Sequence, residues 1–228
     1  MTKLAEEHQA INLSQGFPDF DTDPALIKLV TAYMQQGYNQ YAPMTGVSAL
    51  RNLVADKTNH LYQADYDAES EVTITAGGTQ ALFSAIAASI NPGDEVIIFE
   101  PAYDSYAAAI RMHGGLVKTY EMTPPDYGID WDIVKRLFSA NTKMIILNTP
   151  NNPTGNVMQH EAIEAILENF NGLVVVDEAY VDFTETPSWI QHLDRYPNLV
   201  VLQTFSKAWG LAGIRVGMCF ASVELIRI

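Results

Sequence analysis

KMIILNTPNNPTGNVMQHEAIEAILENFNGLVVVDEAY, residues 143–180, decides the fold. KMIILN (143–148) and GLVVVD (172–177) are short apolar runs of strand length, and residues 158–169 between them carry helical apolar spacing. Strands that are apolar on both sides suit a sheet covered on both faces, and a helix between two of them suits a crossover joining parallel strands. Working outward, EVTIT (71–75), DEVIIF (94–99), GLVKTY (115–120), LVVLQT (199–204) and RVGMCF (215–220) repeat the strand signal, giving seven. Helices are expected over 79–90, 105–113 and 131–139, and ahead of the first strand over 24–36 and 47–61. In 24–36 the apolar residues Ile27, Val30 and Met34 share a face, with Thr22 or Asp23 as the cap and Gly37 as the stop. The alternation predicts an α/β chain: three αβα layers around a mostly parallel seven-stranded sheet, with ligands at the carboxyl ends of the strands.

The 228 residues, 48% hydrophobic and 18% charged, suffice for one large domain, and no repeat, low-complexity tract or linker interrupts them. A formal charge of -14 argues against a nucleic-acid or anionic-membrane partner, because phosphate-rich surfaces repel such a chain on average. One cysteine, Cys219, cannot form an internal disulfide, and no stretch approaches the roughly 18 uninterrupted apolar residues of a membrane span. The expectation is a cytoplasmic protein.

Chemistry concentrates at the expected strand ends. Lys207 follows LVVLQT closely, where desolvation can make a lysine an imine-forming amine; alone, such a lysine is more often a surface charge. Asp177 ends GLVVVD and Tyr180 lies three residues on. A strand ending in Asp-Glu also suits a nucleotide-hydrolysing P-loop protein, but the required G-x-x-x-x-G-K-S/T is absent. In TITAGGTQALFSAI the glycine turn leads into a helix whose first N–H groups at Gly78, Thr79 and Gln80 can hold an anion, with Thr204 and the Arg215 fork completing the site. A purely structural turn is the bland alternative. His8, His60, His113, His160 and His192 are scattered, so no metal is expected, and the Gly-Gly pairs make no G-x-G-x-x-G dinucleotide motif.

The pattern T-x-S-K-x-x-x-L-A-G-x-R-x-G over 204–217, with N-P-T-G at 152–155, Y-x-P-x-x-G at 41–46 and SQGFPDF at 14–20, resembles the class I/II aminotransferases of fold type I. The stretch up to Gly155 is most similar to methionine- and kynurenine-type members, and the later motifs to histidinol-phosphate aminotransferases. The resemblance implies a pyridoxal 5′-phosphate cofactor, Lys207 as the Schiff-base lysine, and transfer of an amino group from an amino acid to a 2-oxo acid. It implies that Asp177 pairs with the ring nitrogen, that Tyr180 and Asn152 reach the ring O3′, and that Tyr103 stacks on the ring, with Tyr106 as its nearest rival. By the same resemblance Gly78, Thr79, Gln80, Thr204 and Arg215 hold the phosphate, and Tyr41 reaches it across a homodimer interface. Gly16 and Phe17 would line the substrate side together with Asn152. Family members normally continue into a C-terminal small domain that carries a substrate-gripping arginine, and no residue here matches it. The expected organisation is therefore an N-terminal arm (1–20) and a cofactor-binding large domain (21–228), with that small domain absent. The alternatives are a truncated or engineered non-catalytic cofactor-binding domain, or another fold-type-I enzyme such as a lyase or an α-oxoamine synthase.

Overall fold

A computed structural model describes residues 2–12 and 20–228. Its strands are β1 (Val72–Thr75), β2 (Glu95–Glu100), β3 (Leu116–Glu121), β4 (Thr142–Asn148), β5 (Leu173–Asp177), β6 (Leu199–Thr204) and β7 (Gly217–Ala221). They form one sheet in the order β1-β7-β6-β5-β4-β2-β3. β7 is antiparallel to both of its neighbours, whereas β6, β5, β4, β2 and β3 pair in parallel. The expected seven-stranded, mostly parallel sheet is thus present, with helices on both faces.

The helices are α1 (Thr2–Glu7), α2 (Pro24–Gln35), α3 (Ser48–Tyr62), α4 (Gly78–Ser89), α5 (Ser105–Met112), α6 (Trp131–Leu137), α7 (His160–Asn169) and α8 (Val223–Ile226). Asp23 caps α2 by accepting from Ala25 N, and Pro24 opens the helix where its missing N–H is harmless. α7 starts two residues later than its apolar spacing predicts. Met158 is instead held against the core, its N–H donating to Thr149 Oγ1 at 3.1 Å, and Gln159 stays extended as the cap. α6 stops at Leu137 because Phe138 turns extended and meets Phe170 edge-on at 5.0 Å.

Successive side chains of the central strands leave on opposite faces and build two cores. Val174, Val176, Leu199 and Val201 pack with Val54 of α3, Val134 of α6 and Ile163 of α7. Leu173, Val175, Val200 and Leu202 pack with Leu82 and Ile86 of α4 and Tyr106 and Ile110 of α5. Hydrogen-bonded registers put Asn148 beside Asp177 and Asp177 beside Leu202, so β4 and β5 end level and β6 runs two residues further, to Thr204. Among the described residues no helix is long and apolar enough to cross a membrane, and no group of His, Cys, Asp and Glu is placed to hold a metal ion.

Candidate active site

Asp177 ends β5 on the face covered by α4 and α5. Its Oδ2 accepts the Tyr106 hydroxyl at 2.6 Å, and its Oδ1 accepts Ala179 N–H at 3.0 Å. Burial raises the carboxyl above its ordinary range, while the Tyr106 bond, the Ala179 N–H and the positive charge of Lys207 pull it back. The Tyr106 phenol is pushed well above its usual value, by burial first and by Asp177 second, so it remains a donor. Asn148 braces the same point: its Nδ2 donates to Asp177 O at 3.0 Å, and its Oδ1 accepts Asn152 N–H at 2.7 Å. A half-buried carboxylate held this way is matched to a cation at the mouth of the sheet.

Lys207 lies in the turn after β6, with Nζ 5.4 Å from the centre of the Tyr180 ring. Its charge acts on Asp177, so the three expected residues Asp177, Tyr180 and Lys207 share one strand-end region. Thr204 and Ser206 form the floor beside it, Thr204 Oγ1 lying 2.9 Å from Ser206 Oγ and accepting Ser206 N–H at 3.1 Å.

The glycine turn after β1 supplies a cradle. Gly77 sits at φ +80, and a Cβ there would fall 2.5 Å from Arg215 Nη2. A Cβ on Gly217 would fall 2.5 Å from Gly77 C and Gly78 N, so only glycine lets β7 approach the turn this closely. Arg215 Nη1 donates to Ala212 O at 3.0 Å and Nη2 to Ala76 O at 3.4 Å, fixing the guanidinium beside the start of α4. Within the turn, Gln80 N–H donates to Gly77 O and the Gln80 side chain accepts from Ala76 N. Gly78 and Thr79 thus lead into the anion-attracting end, while Gln80 braces the turn.

The remaining expected residues are arranged around this frame. Tyr103 Oη lies 3.1 Å from Thr79 Oγ1, and its ring meets that of Tyr106 edge-on at 5.8 Å. Tyr103 is thus the partly exposed member of the pair and Tyr106 the buried one. Asn152 follows β4 in a loop where Asn151 Oδ1 accepts from Thr154 N and Oγ1. Tyr41 projects fully into solvent from a loop pinned to β1, where Ile74 N–H donates to Thr45 O at 3.0 Å. Gly16 and Phe17 lie outside the described residues. Sequence reasoning missed Tyr106 as the partner of Asp177 and Asn148 as the brace of Asn152; the only signals were a second tyrosine three residues after Tyr103 and an asparagine at a strand end.

A phosphorylated pyridine aldehyde needs an anion cradle, a carboxylate for a cationic ring nitrogen and an amine for the carbonyl. The Gly77–Gly78 turn with Arg215, Asp177 with Tyr106, and Lys207 supply these three, so the residues fit pyridoxal 5′-phosphate.

Fold and site together define a three-layer α/β protein whose glycine turn meets an arginine and whose strand ends carry a half-buried carboxylate within reach of a lysine's charge. The chain belongs to a known family: residues 8–228 match the one described as Aminotransferase class I and II. It is 44% identical over 232 residues to methionine aminotransferase of Escherichia coli (strain K12), covering 99% of this chain and 60% of that protein. Histidinol-phosphate aminotransferase of Cytophaga hutchinsonii is 37% identical over 185 residues, 81% of this chain and 49% of that one. Among solved structures, YbdL from Escherichia coli, reported with a methionine aminotransferase function, aligns with a TM-score of 0.91 at 43% identity, covering 99% of this chain and 62% of that chain. N-succinyldiaminopimelate aminotransferase from Mycobacterium tuberculosis aligns at 0.91 and 32% identity, over 100% of this chain and 62% of that one. The chain therefore spans about three fifths or less of the length of these relatives.

Proposed function

We propose that this chain is the cofactor-binding part of a pyridoxal-phosphate-dependent aminotransferase, which moves an amino group from an amino acid to a 2-oxo acid. The observation that supports the reading is that Asp177 at the end of β5, Lys207 in the turn after β6 with Nζ 5.4 Å from the Tyr180 ring, and the Gly77–Arg215 cradle all gather at one end of the sheet. When bound, pyridoxal phosphate supplies a carbonyl that an amine can capture and a ring that takes up electrons. Asp177, whose carboxylate form the Tyr106 and Ala179 hydrogen bonds favour against its burial, would pair with a protonated ring nitrogen. Tyr180 and Asn152 would hydrogen-bond at O3′, and Tyr103 would cover one ring face. Gly78, Thr79, Gln80, Thr204 and Arg215 bind the phosphate. Lys207 would supply the amine that holds the cofactor carbonyl, and its Nζ would serve as the general base and acid for the substrate α-proton. Gly16, Phe17 and Asn152 contact the amino acid. A homodimer in the cytoplasm belongs to the same reading, with Tyr41 reaching the phosphate of the neighbouring subunit.

The test is the visible absorbance of the chain after addition of pyridoxal phosphate, before and after borohydride, against Lys207→Ala. A reduced adduct on wild type alone is expected; equal adduct on both proteins would sink the assignment. Mixing the loaded chain with methionine, kynurenine, glutamine or histidinol phosphate and assaying the 2-oxo acid then identifies the donor. Binding without conversion by any of them would favour a non-catalytic domain, and products other than a 2-oxo acid would favour a lyase or an α-oxoamine synthase.

A further inference from the structure

The residue after Asp177 plays no part in the chemistry above, yet it anchors a buried polar cluster. Glu178 is 2% exposed and leaves β5 on the α3 face of the sheet, opposite to Asp177. Its Oε1 accepts Trp189 N–H at 2.6 Å, and its Oε2 accepts the Ser188 hydroxyl at 2.6 Å and Gln203 Nε2 at 2.9 Å. Its backbone N–H donates to Leu202 O at 2.8 Å. All three side-chain contacts are donors, and Ser188 Oγ is already committed as the acceptor of Ile190 N–H at 3.2 Å. A carboxylate satisfies this set. An amide would turn its own N–H groups toward at least one of those donors. The void lined in part by Glu178, His160 and Trp189 is only about 10 Å³, no more than one water, so the cluster is a brace and not a ligand site.

The brace ends on the site. Gln203 immediately precedes Thr204, the floor residue next to Lys207, and Glu178 immediately follows Asp177. Three titratable groups interact with it electrostatically or through Gln203: Lys57 and Tyr62 from α3, both of which also feel Asp182 of the following turn, and Asp177 from β5. Lys57 Nζ also lies 5.7 Å from the ring centre of Trp209, two residues beyond Lys207.

We propose that Glu178 is a positioning residue for the strand-end site: its carboxylate clamps β5, β6 and the turn at 188–190 together, so fixing Asp177 and the segment from Thr204 to Lys207. Burial pushes the Glu178 carboxyl up to about 7, so its charge changes in the neutral range, next door to Asp177. The inference rests on Lys207 being the working amine of the proposed function, but its test does not need the cofactor.

In the cofactor-free full chain, the rate at which Lys207 is acylated by a water-soluble active ester is followed against pH by peptide mass spectrometry, for wild type, Glu178→Gln and Ser188→Ala. Lys207 interacts electrostatically with Asp177, the residue the clamp fixes, so loosening it with Glu178→Gln is expected to weaken that pairing and lower the Lys207 midpoint by about half a unit or more. Ser188→Ala removes one donor, favours the protonated carboxyl and shifts the midpoint the same way by less. An unchanged Lys207 profile in both variants, even with lowered melting temperatures, would reduce Glu178 to a fold brace and overturn the proposal. If Glu178→Gln does not fold, Ser188→Ala decides alone. A chain that shows these shifts but never binds pyridoxal phosphate would reject the cofactor reading and leave the clamp standing.

Discussion

Tyr106 donates to Asp177 Oδ2 at 2.6 Å across the gap between the start of α5 and the end of β5, joining a helix and a strand through a buried phenol and a carboxylate. The bond is one of the forces that hold the Asp177 carboxyl down against the desolvation that raises it. Tyr106→Phe removes the donor and keeps the ring. A hydrogen bond to a charged group contributes roughly 1.5–3 kcal/mol, so affinity for pyridoxal phosphate is expected to fall about tenfold or more. The loss should grow as pH falls, because the unsupported carboxyl takes up a proton at higher pH than in wild type. Spectrophotometric titrations at several pH values measure this, and equal affinities throughout would show that Asp177 does not need the phenol.

The glycine cradle makes two substitutions unequal. At Gly77 an added Cβ meets the end of a flexible arginine, 2.5 Å from Nη2, whereas at Gly217 it meets backbone, 2.5 Å from Gly77 C and Gly78 N. Gly77→Ala should cost about 1–2 kcal/mol for its left-handed φ and push Arg215 aside. The variant should then lose most of its preference for pyridoxal phosphate over pyridoxal. Gly217→Ala has no yielding neighbour and is expected to lower the melting temperature further. Calorimetry and paired titrations test both, and an unaltered phosphate preference in Gly77→Ala would remove Arg215 from the anion site.

The strands were legible because each is a short apolar run between turn residues, and the site residues because they end those runs in a recurring order. Tyr106 was not, since periodicity cannot say which of two tyrosines three apart turns toward the sheet. The Glu178 cluster was hidden for a different reason: Ser188 and Gln203 are ordinary polar residues 10 and 25 positions away, and only the fold brings them to one carboxylate. Helix α2 was readable from Ile27, Val30 and Met34, but its spacing could not tell that the face would remain uncovered in the single chain.

Glu178 also predicts how stability depends on pH. Its folded pKa, about 7, lies above its ordinary value of 4.5, so the folded state favours the proton. The resulting stabilisation is complete below about 4.5 and is lost as pH rises through 7, at most on the order of 3 kcal/mol. His192 has the opposite sign: burial, first, and His160 lower its pKa, so its contribution is present above 6.5 and falls away as its proton binds. Denaturant midpoints taken from pH 5 to 8 for wild type and Glu178→Gln cancel the histidine in the difference. Wild type should lose more stability than the variant across that interval, and parallel curves would contradict a titrating Glu178.

Helix α2 has no buried residue, and Ile27, Leu29, Val30, Tyr33 and Met34 are all exposed in the single chain. Tyr38, Tyr41 and Met44 continue the apolar run beyond it. A face this apolar is normally covered, and a second copy of the chain is the partner that the proposed aminotransferase reading supplies. Light scattering on wild type is therefore expected to report a dimer. The double substitution of Val30→Lys and Met34→Lys places two charges one helical turn apart on that face. It should shift the mass toward the monomer while changing monomer stability by less than about 0.5 kcal/mol, because neither side chain is buried within one chain. A dimer that survives both charges would place the contact elsewhere, and a monomeric wild type would reject self-association through α2.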